Sequence, residues 1–341
     1  MKRSKSGTPR HKAEPKPAKF KVSWLSLGTA IIFMIGTIIT LLPTIANWYS
    51  EVDQAKELDT LNSEVRDFSA IALRQEIADA QLYNTTLTGG ALVAANERIP
   101  LSESTIARAS HLEYNDLLKA DSRGLMGRIR IPTIGVDLPI YHGTSEETLK
   151  IGAGHLEGTA LPVGGVGTRS VITAHRGLAT SVLFTHLDQV KIGDTFTIEV
   201  FGEVLVYKVK TTEVVAPNDS RALYPVPDLD LVTLVTCTPL GVNSHRILVT
   251  GERIEPTPAK DLAAAGKPPT IPGFPWWLLI LIAVFLVLAA YVWYSGKRPN
   301  NPYLAESKIL DSEPSRKSEE SKHPSATKNA KVARAKGGKG K

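Results

Sequence analysis

The one cysteine in 341 residues, Cys237, ends the apolar run "LVTLVTC", and Arg246 follows nine positions later in "SHRILVTGERI". A thiol at the end of a strand pattern is either a small buried hydrophobe or a nucleophile, and burial rank by itself favours the first. To act as a nucleophile it needs a base or a cation beside it. His175, in "VITAHRG", ends another strand pattern where Arg176-Gly177 opens a loop. Two strand ends on one rim of a barrel can meet although 62 positions separate them in the chain. His142, His155, His186 and His245 compete for the same role. If Ile247 and Val249 face the core, Arg246 and Leu248 face outward. The Arg246 guanidinium could then donate two parallel hydrogen bonds to a carbonyl oxygen gathering negative charge. A surface ion pair is its other reading.

Other chemistries find little support. No G-x-S-x-G marks a serine elbow, and no G-x-x-x-x-G-K-[ST] marks a phosphate loop. "GAGHLEG" (Gly152–Gly158) misses a dinucleotide fingerprint by one residue and lacks a βαβ setting. The eight histidines show no metal-ligand spacing, so neither a metal nor a cofactor is expected. A lone thiol in an exported domain forms no internal disulfide and points to reactivity or intermolecular pairing.

The positioning elements begin with two apolar stretches. Trp24–Ile45 and Phe274–Tyr294 are 22 and 21 residues without a charge. Either is long enough to cross a hydrocarbon core of about 30 Å as a helix. Trp24 and Trp48 bracket the first; Trp276, Trp277, Trp293 and Tyr294 bracket the second, as interfacial aromatics do. The net charge of +6 belongs to the ends: residues 1–23 and 297–341 together carry +14, which leaves −8 for residues 24–296. That distribution does not support a nucleic-acid-binding core. The positive-inside rule predicts a two-pass membrane protein with both basic tails cytoplasmic and residues 46–273 outside. A cleaved signal peptide ending at "TIA" (Thr44–Ala46) is the alternative for the first stretch, although that stretch exceeds the usual 7–15 or so apolar residues.

Between the spans the period changes once. Val52, Ala55, Leu58, Leu61, Val65, Phe68 and Ile71 recur three or four apart in Glu51–Leu87, predicting an amphipathic helix or helix pair that Thr88–Gly90 stops. A second helical patch is expected over Ser102–Leu118. Residues 46–122 read as a membrane-proximal stalk or lid. From Leu125, seven short runs rich in Val, Ile and Thr, separated by turn residues, predict an antiparallel sandwich or closed barrel over residues 123–255. Residues 256–273 form a Pro-rich linker, and residues 295–341 a basic tail without a periodic apolar face.

On these residues the chain resembles the sortase family of Gram-positive surface transpeptidases. "TLVTC" with Arg246 nine positions on, and "VITAHRG" upstream, carry the likeness. "IPTIGVDLPIYHGTS", "GAGHLEGTALPVGG" and "TLVTCTPLGVNSHRILVTGERI" are similar to class C, pilin-polymerising members. The resemblance implies a closed eight-stranded, antiparallel or mixed β-barrel with an N-terminal helical region, flanked by two transmembrane helices. It also implies Cys237 as nucleophile, His175 as acid and base, Arg246 as oxyanion stabiliser, and the backbone near Thr236 completing the site. The implied substrate is an L-P-x-T-G-like signal cleaved after Thr through a thioacyl enzyme. The acceptor amine would be a pilin lysine, or a cell-wall precursor amine in a housekeeping enzyme. Class C members usually carry an Asp-Pro-aromatic lid; the corresponding region, Thr86–Ser104, has no Asp-Pro. A thiol protease and a non-enzymatic membrane-anchored binding module are the rival readings. The binding module requires Cys237, His175 and Arg246 to lie apart.

Overall fold

The runs that alternate apolar and polar residues after Leu125 pair into one continuous sheet. A computed structural model describes residues 22–93 and 112–297. Its strands are β1 Leu125–Ile131, β2 Val136–His142, β3 Ala153–His155, β4 Thr168–Thr173, β5 Thr195–Val200, β6 Glu203–Val215, β7 Asp230–Thr238 and β8 His245–Arg253. They close a barrel in the order β1-β2-β3-β4-β7-β8-β6-β5. The β2–β3 and β4–β7 pairs are parallel and the remaining pairs antiparallel, so the barrel is mixed. Ile129, Ile140, Ile172, Phe196, Leu234 and Val249 are fully buried in its core. Burying each such side chain contributes about 1.5–3 kcal/mol.

Seven strands fall where the sequence pattern puts them. The eighth, β3, lies inside "GAGHLEG" and is only three residues long, too short to show a period. Its glycines serve close approach of backbones, because a Cβ on Gly154 would collide with the Gly143 carbonyl.

The helical region is a pair. Helix α1 (Trp24–Asp67) continues without a break from the first apolar stretch, and α2 (Ala70–Val93) follows. Ser69 Oγ accepts from the Ala72 amide at 3.1 Å and caps the second helix. Against expectation, α2 runs through Thr88–Gly90 to Val93. A helical glycine costs roughly 1 kcal/mol, which ends a helix only when nothing else holds it.

Nor do these helices stand clear as a stalk. Leu58 and Leu61 pack with Leu125 and Tyr141 of the barrel, and Ala80 is fully buried in the main core. Asn84, 2% exposed, donates to the Leu161 carbonyl at 3.0 Å and accepts from the Leu161 amide at 2.7 Å. Of the second helical patch, residues 102–111 lie outside the described residues; the described part holds only a 3-10 turn, Tyr114–Asp116.

The Pro-rich linker is also fastened. Arg128, 2% exposed, binds both Asp137 oxygens at 2.6 Å and donates to the Lys267 carbonyl at 2.8 Å. Glu199 accepts from the Gly266 amide at 3.1 Å. The linker contains one short helix, α4 (Ala259–Leu262), counting α3 (Glu146–Ile151) before it. It leads to α5 (Trp276–Lys297). Both α1 and α5 are long and apolar enough to cross a membrane. The chain divides into two compact units, one of residues 28–289 and one of both chain ends; within the latter the Lys297 ammonium sits 3.3 Å from the Trp293 ring centre.

If α1 is part of the folded domain, Leu58→Ala (1% exposed) should lower unfolding free energy by about 2–5 kcal/mol. Ile71→Ala (78% exposed) should stay within about 0.5 kcal/mol of wild type. Denaturant titration of the two variants measures the difference, which a free stalk would not show.

Candidate active site

Side chains along a strand alternate between faces, so the inner core positions fix which residues point out. On β7, Val232 and Leu234 enter the core, whereas Val235 joins an outer cluster with Val171 of β4 and Leu248 of β8. The face that carries Val235 carries Thr233 and Cys237 as well. On β8, Ile247 and Val249 enter the core and Leu248 faces out, so Arg246 faces out with it. The antiparallel register sets Cys237 directly opposite Arg246. Residues so opposed have Cβ atoms about 4.5–5.5 Å apart.

On the other flank of β7, the parallel β4 register ends with Thr173 opposite Val235. Two bonds carry the pairing one residue further: the Ala174 amide donates to the Val235 carbonyl at 3.2 Å, and Thr236 Oγ1 donates to the Ala174 carbonyl at 2.8 Å. His175 therefore leaves β4 level with Cys237, on the face of Val171. The three predicted side chains come from the ends of three adjacent strands onto one outer surface. Thr236 is 1% exposed and its hydroxyl is committed inward, so what it offers this surface is backbone.

Cys237 is partly exposed and free. His175 Nε2 lies 3.2 Å from Glu146 Oε2, the first residue of α3. That carboxylate favours the tautomer protonated at Nε2 and leaves Nδ1 as the basic nitrogen. Arg246 Nη1 donates to the carbonyls of Asn243 and His245, both at 3.0 Å. These bonds tie its guanidinium to the β7–β8 loop, and no carboxylate pairs with it among the described residues.

The family model for the sortase domain matches residues 129–254, the strands that carry all three side chains. A solved sortase C1 from Streptococcus agalactiae, in complex with MTSET, is 39% identical with a TM-score of 0.50, covering 59% of this chain and 99% of that one. The chain belongs to the sortase family. A lid-mutant of the S. agalactiae enzyme gives 40% identity and a TM-score of 0.50, covering 58% of this chain and 96% of that one. Sortase A of Bacillus anthracis is 27% identical over 157 residues, 45% of this chain and 73% of that protein. The sortase is most similar to class C members. The region expected as a lid is helical from Thr86 to Val93, and residues 94–104 lie outside the described residues.

Within this sortase the competing histidines are accounted for. His155 is fully buried, with Nδ1 2.9 Å from the Tyr114 hydroxyl and Nε2 2.8 Å from the Ala160 carbonyl. His142 is held between the carbonyls of Gly124 and Leu117, each at 2.8 Å. His245 alternates with Arg246 and so faces away from Cys237; His186 contacts Gln189 in an exposed turn.

Sequence reasoning passed over Arg176, Glu146 and Arg169. Arg176 followed the histidine in "AHRG" and was read only as the start of a loop. Arg169, 8% exposed, donates to the Tyr224 carbonyl at 2.8 Å and to Thr233 Oγ1 at 2.7 Å. It thereby pins the β6–β7 connection onto the outer face. Beside it opens a cavity of about 300 Å³, lined by Leu156, Thr159, Leu223, Tyr224 and Pro225. A larger cavity of about 600 Å³, between α1, the β1–β2 turn and residues 269–273, holds none of the candidate catalytic residues. The smaller one holds none of them either, but it opens beside Leu156 and Leu223, which pack against the outer Val171–Val235–Leu248 cluster.

Burial pushes the His155 pKa down from 6.5 to about 4. Between those values the unfolded chain binds a proton that the folded chain refuses. Stability is therefore full above pH 6.5 and falls as the pH drops toward 4, by about 3 kcal/mol for this group. The His155 imidazole resonances should stay unchanged from pH 7.5 to 5 in an NMR titration, and His155→Gln should flatten the acid limb of the stability profile.

Proposed function

We propose that this sortase is a membrane-anchored cysteine transpeptidase that cleaves an LPXTG-like sorting signal between Thr and Gly and joins the new carboxyl end to an amine, a pilin lysine. The observation that carries this reading is the convergence of His175, Cys237 and Arg246 at the ends of β4, β7 and β8 on one outer face.

In the first half-reaction the Cys237 thiol passes its proton to His175 as its sulfur attacks the Thr carbonyl carbon, and the carbonyl oxygen becomes an oxyanion. Arg246 and backbone amides near Cys237 stabilise that charge. The C–N bond to Gly breaks as His175 gives its proton to the leaving amine. In the second, His175 takes a proton from the incoming amine, whose nitrogen attacks the thioester, and Cys237 leaves as thiolate. The cavity at Leu223, next to the buried outer cluster of Val171, Val235 and Leu248, would take the extended Leu-Pro segment.

The two apolar helices would anchor the enzyme with its basic tails in the cytoplasm and the barrel outside, where sorting signals emerge. Relatives named sortase A, in B. anthracis and S. agalactiae, favour a second reading in which the acceptor is a cell-wall precursor amine.

The test uses the full chain in detergent with an L-P-x-T-G peptide and intact-mass detection. Wild type should gain the L-P-x-T acyl mass and Cys237→Ala should gain nothing. Arg246→Ala should acylate about 10²–10³-fold more slowly. A lysine-bearing pilin peptide should discharge the thioester faster than a cell-wall amine; the reverse order would move the enzyme to the housekeeping role. Acylation of Cys237→Ala would sink the mechanism.

A further inference from the structure

Resting on the assignment of Cys237 and His175 above, we infer that α1 is part of the catalytic apparatus: Asn47, Ser50 and Gln54, just beyond its apolar stretch, together with Arg176, are positioning residues that set His175 against Cys237.

The first part of the inference is the loop that follows His175. Arg176, whose side chain is 9% exposed, is held on three sides. Its Nη1 donates to Thr238 Oγ1 at 2.8 Å, its Nε to the Thr185 carbonyl at 3.1 Å, and its Nη2 meets Asp188 at 2.7 Å. Thr238 directly follows Cys237, so one buried guanidinium ties the residue after the histidine to the residue after the thiol. The Phe184 amide donates to the His175 carbonyl at 3.1 Å and the Gly177 amide to Thr185 Oγ1 at 3.1 Å, closing residues 175–185 into a compact loop. Five donors in a fixed fork suit arginine to such a junction, and lysine cannot reproduce it.

The second part is what holds that loop from outside. Asn47 Oδ1 accepts from the Val182 amide at 2.9 Å. Ser50 Oγ donates to Ser181 Oγ at 2.9 Å, and Gln54 Nε2 reaches the same oxygen at 3.1 Å. Gln54 and Ser181 are 6% and 4% exposed, so these bonds are shielded from water and costly to break. Gln54 Nε2 also lies 3.3 Å from the carbonyl of Ile151, the last residue of α3. Glu146, at the other end of that short helix, is the partner of the His175 ring. One helix face thus grips both supports of the histidine, the loop that carries its backbone and the helix that carries its carboxylate partner. A membrane anchor with no part in catalysis would need no buried polar contacts with this loop.

The full chain in nanodiscs provides the test, with single-turnover acylation by an L-P-x-T-G peptide and the His175 imidazole NMR signals as readouts. The rate constant does not depend on the fraction of active enzyme, and the signals need no peptide. Gln54→Met keeps length and helix propensity but removes the donors; it should slow acylation about tenfold or more and shift the His175 signals, with His245 signals unmoved. Thr238→Val should do the same and Thr238→Ser should restore both, which covers the case that Arg176→Gln fails to fold. Wild-type rates and unmoved His175 signals in folded Gln54→Met would overturn the role of α1. Should wild type itself fail to acylate, the assignment of the reaction falls, and the His175 signals still judge the positioning.

Discussion

Everything in this active surface depends on strand register. Because alternate residues of a strand face opposite sides, a one-residue slip of β7 would turn Cys237 into the barrel and bring Thr236 and Thr238 out. The slip is blocked twice. Val232 and Leu234 on β7, with Ile247 and Val249 on β8, are core residues that a slip would expose. On the outer face Arg169 reaches across from β4 to Thr233, and Thr233 Oγ1 lies 3.0 Å from Thr250 Oγ1, a cross-strand set that only this alignment allows. The apolar core and the polar outer set therefore specify the same alignment, and Cys237 and Arg246 inherit it.

A packed barrel also explains why the chemistry is on the outside. Phe196 and Tyr207 stack at 5.5 Å within the core, which leaves the interior filled with side chains, and substrate must lie along the sheet. The outer face of β4, β7 and β8 is unusual for carrying Val171, Val235 and Leu248 where an ordinary barrel would carry polar residues. Leu156, Val215, Ala222 and Leu223 pack over this strip, so the surface beside Cys237 is backed by a second, outer apolar cluster.

How much of this was legible follows the physics of each signal. Seven strands could be read because two-residue alternation is a local property; β3 could not, because three residues pair only through the partners that flank them. The apolar positions Leu58 and Leu61 were read correctly as a helix stripe, but periodicity does not say what a stripe packs on, and the barrel was missed as its partner. Residue type and strand-end position singled out Cys237, His175 and Arg246 but left four other histidines competing, and the family resemblance supplied the roles. The structure separates the histidines by what each ring nitrogen touches, information absent from spacing. Arg176 was invisible for a similar reason: an arginine at a loop start can point anywhere, and only the fold brings Thr238 and Asp188 to it.

The two attachments of the barrel act on different strands, and this has a mechanical consequence. Helix α1 grips the loop after β4 through Ser181 and Val182, while the linker to α5 is bound to β1 and β5 through Arg128, Arg130 and Glu199. The chain segments from these two grips then meet: Trp48 Nε1 donates to the Gly273 carbonyl at 3.0 Å, and the Trp48 and Trp277 rings lie 6.1 Å apart, edge to face. A body held at one point can swivel, whereas one held on separate strands by arms that join again cannot do so without breaking buried polar contacts. The linker's many prolines stiffen the second arm further by narrowing its backbone freedom. The ring formed by α1, barrel, linker and the tryptophan pair thus fixes the orientation of the β4–β7–β8 face relative to the base of both apolar helices. An enzyme that joins two large, themselves tethered partners gains from a fixed approach, because the orientational freedom removed in advance is no longer a cost of the encounter.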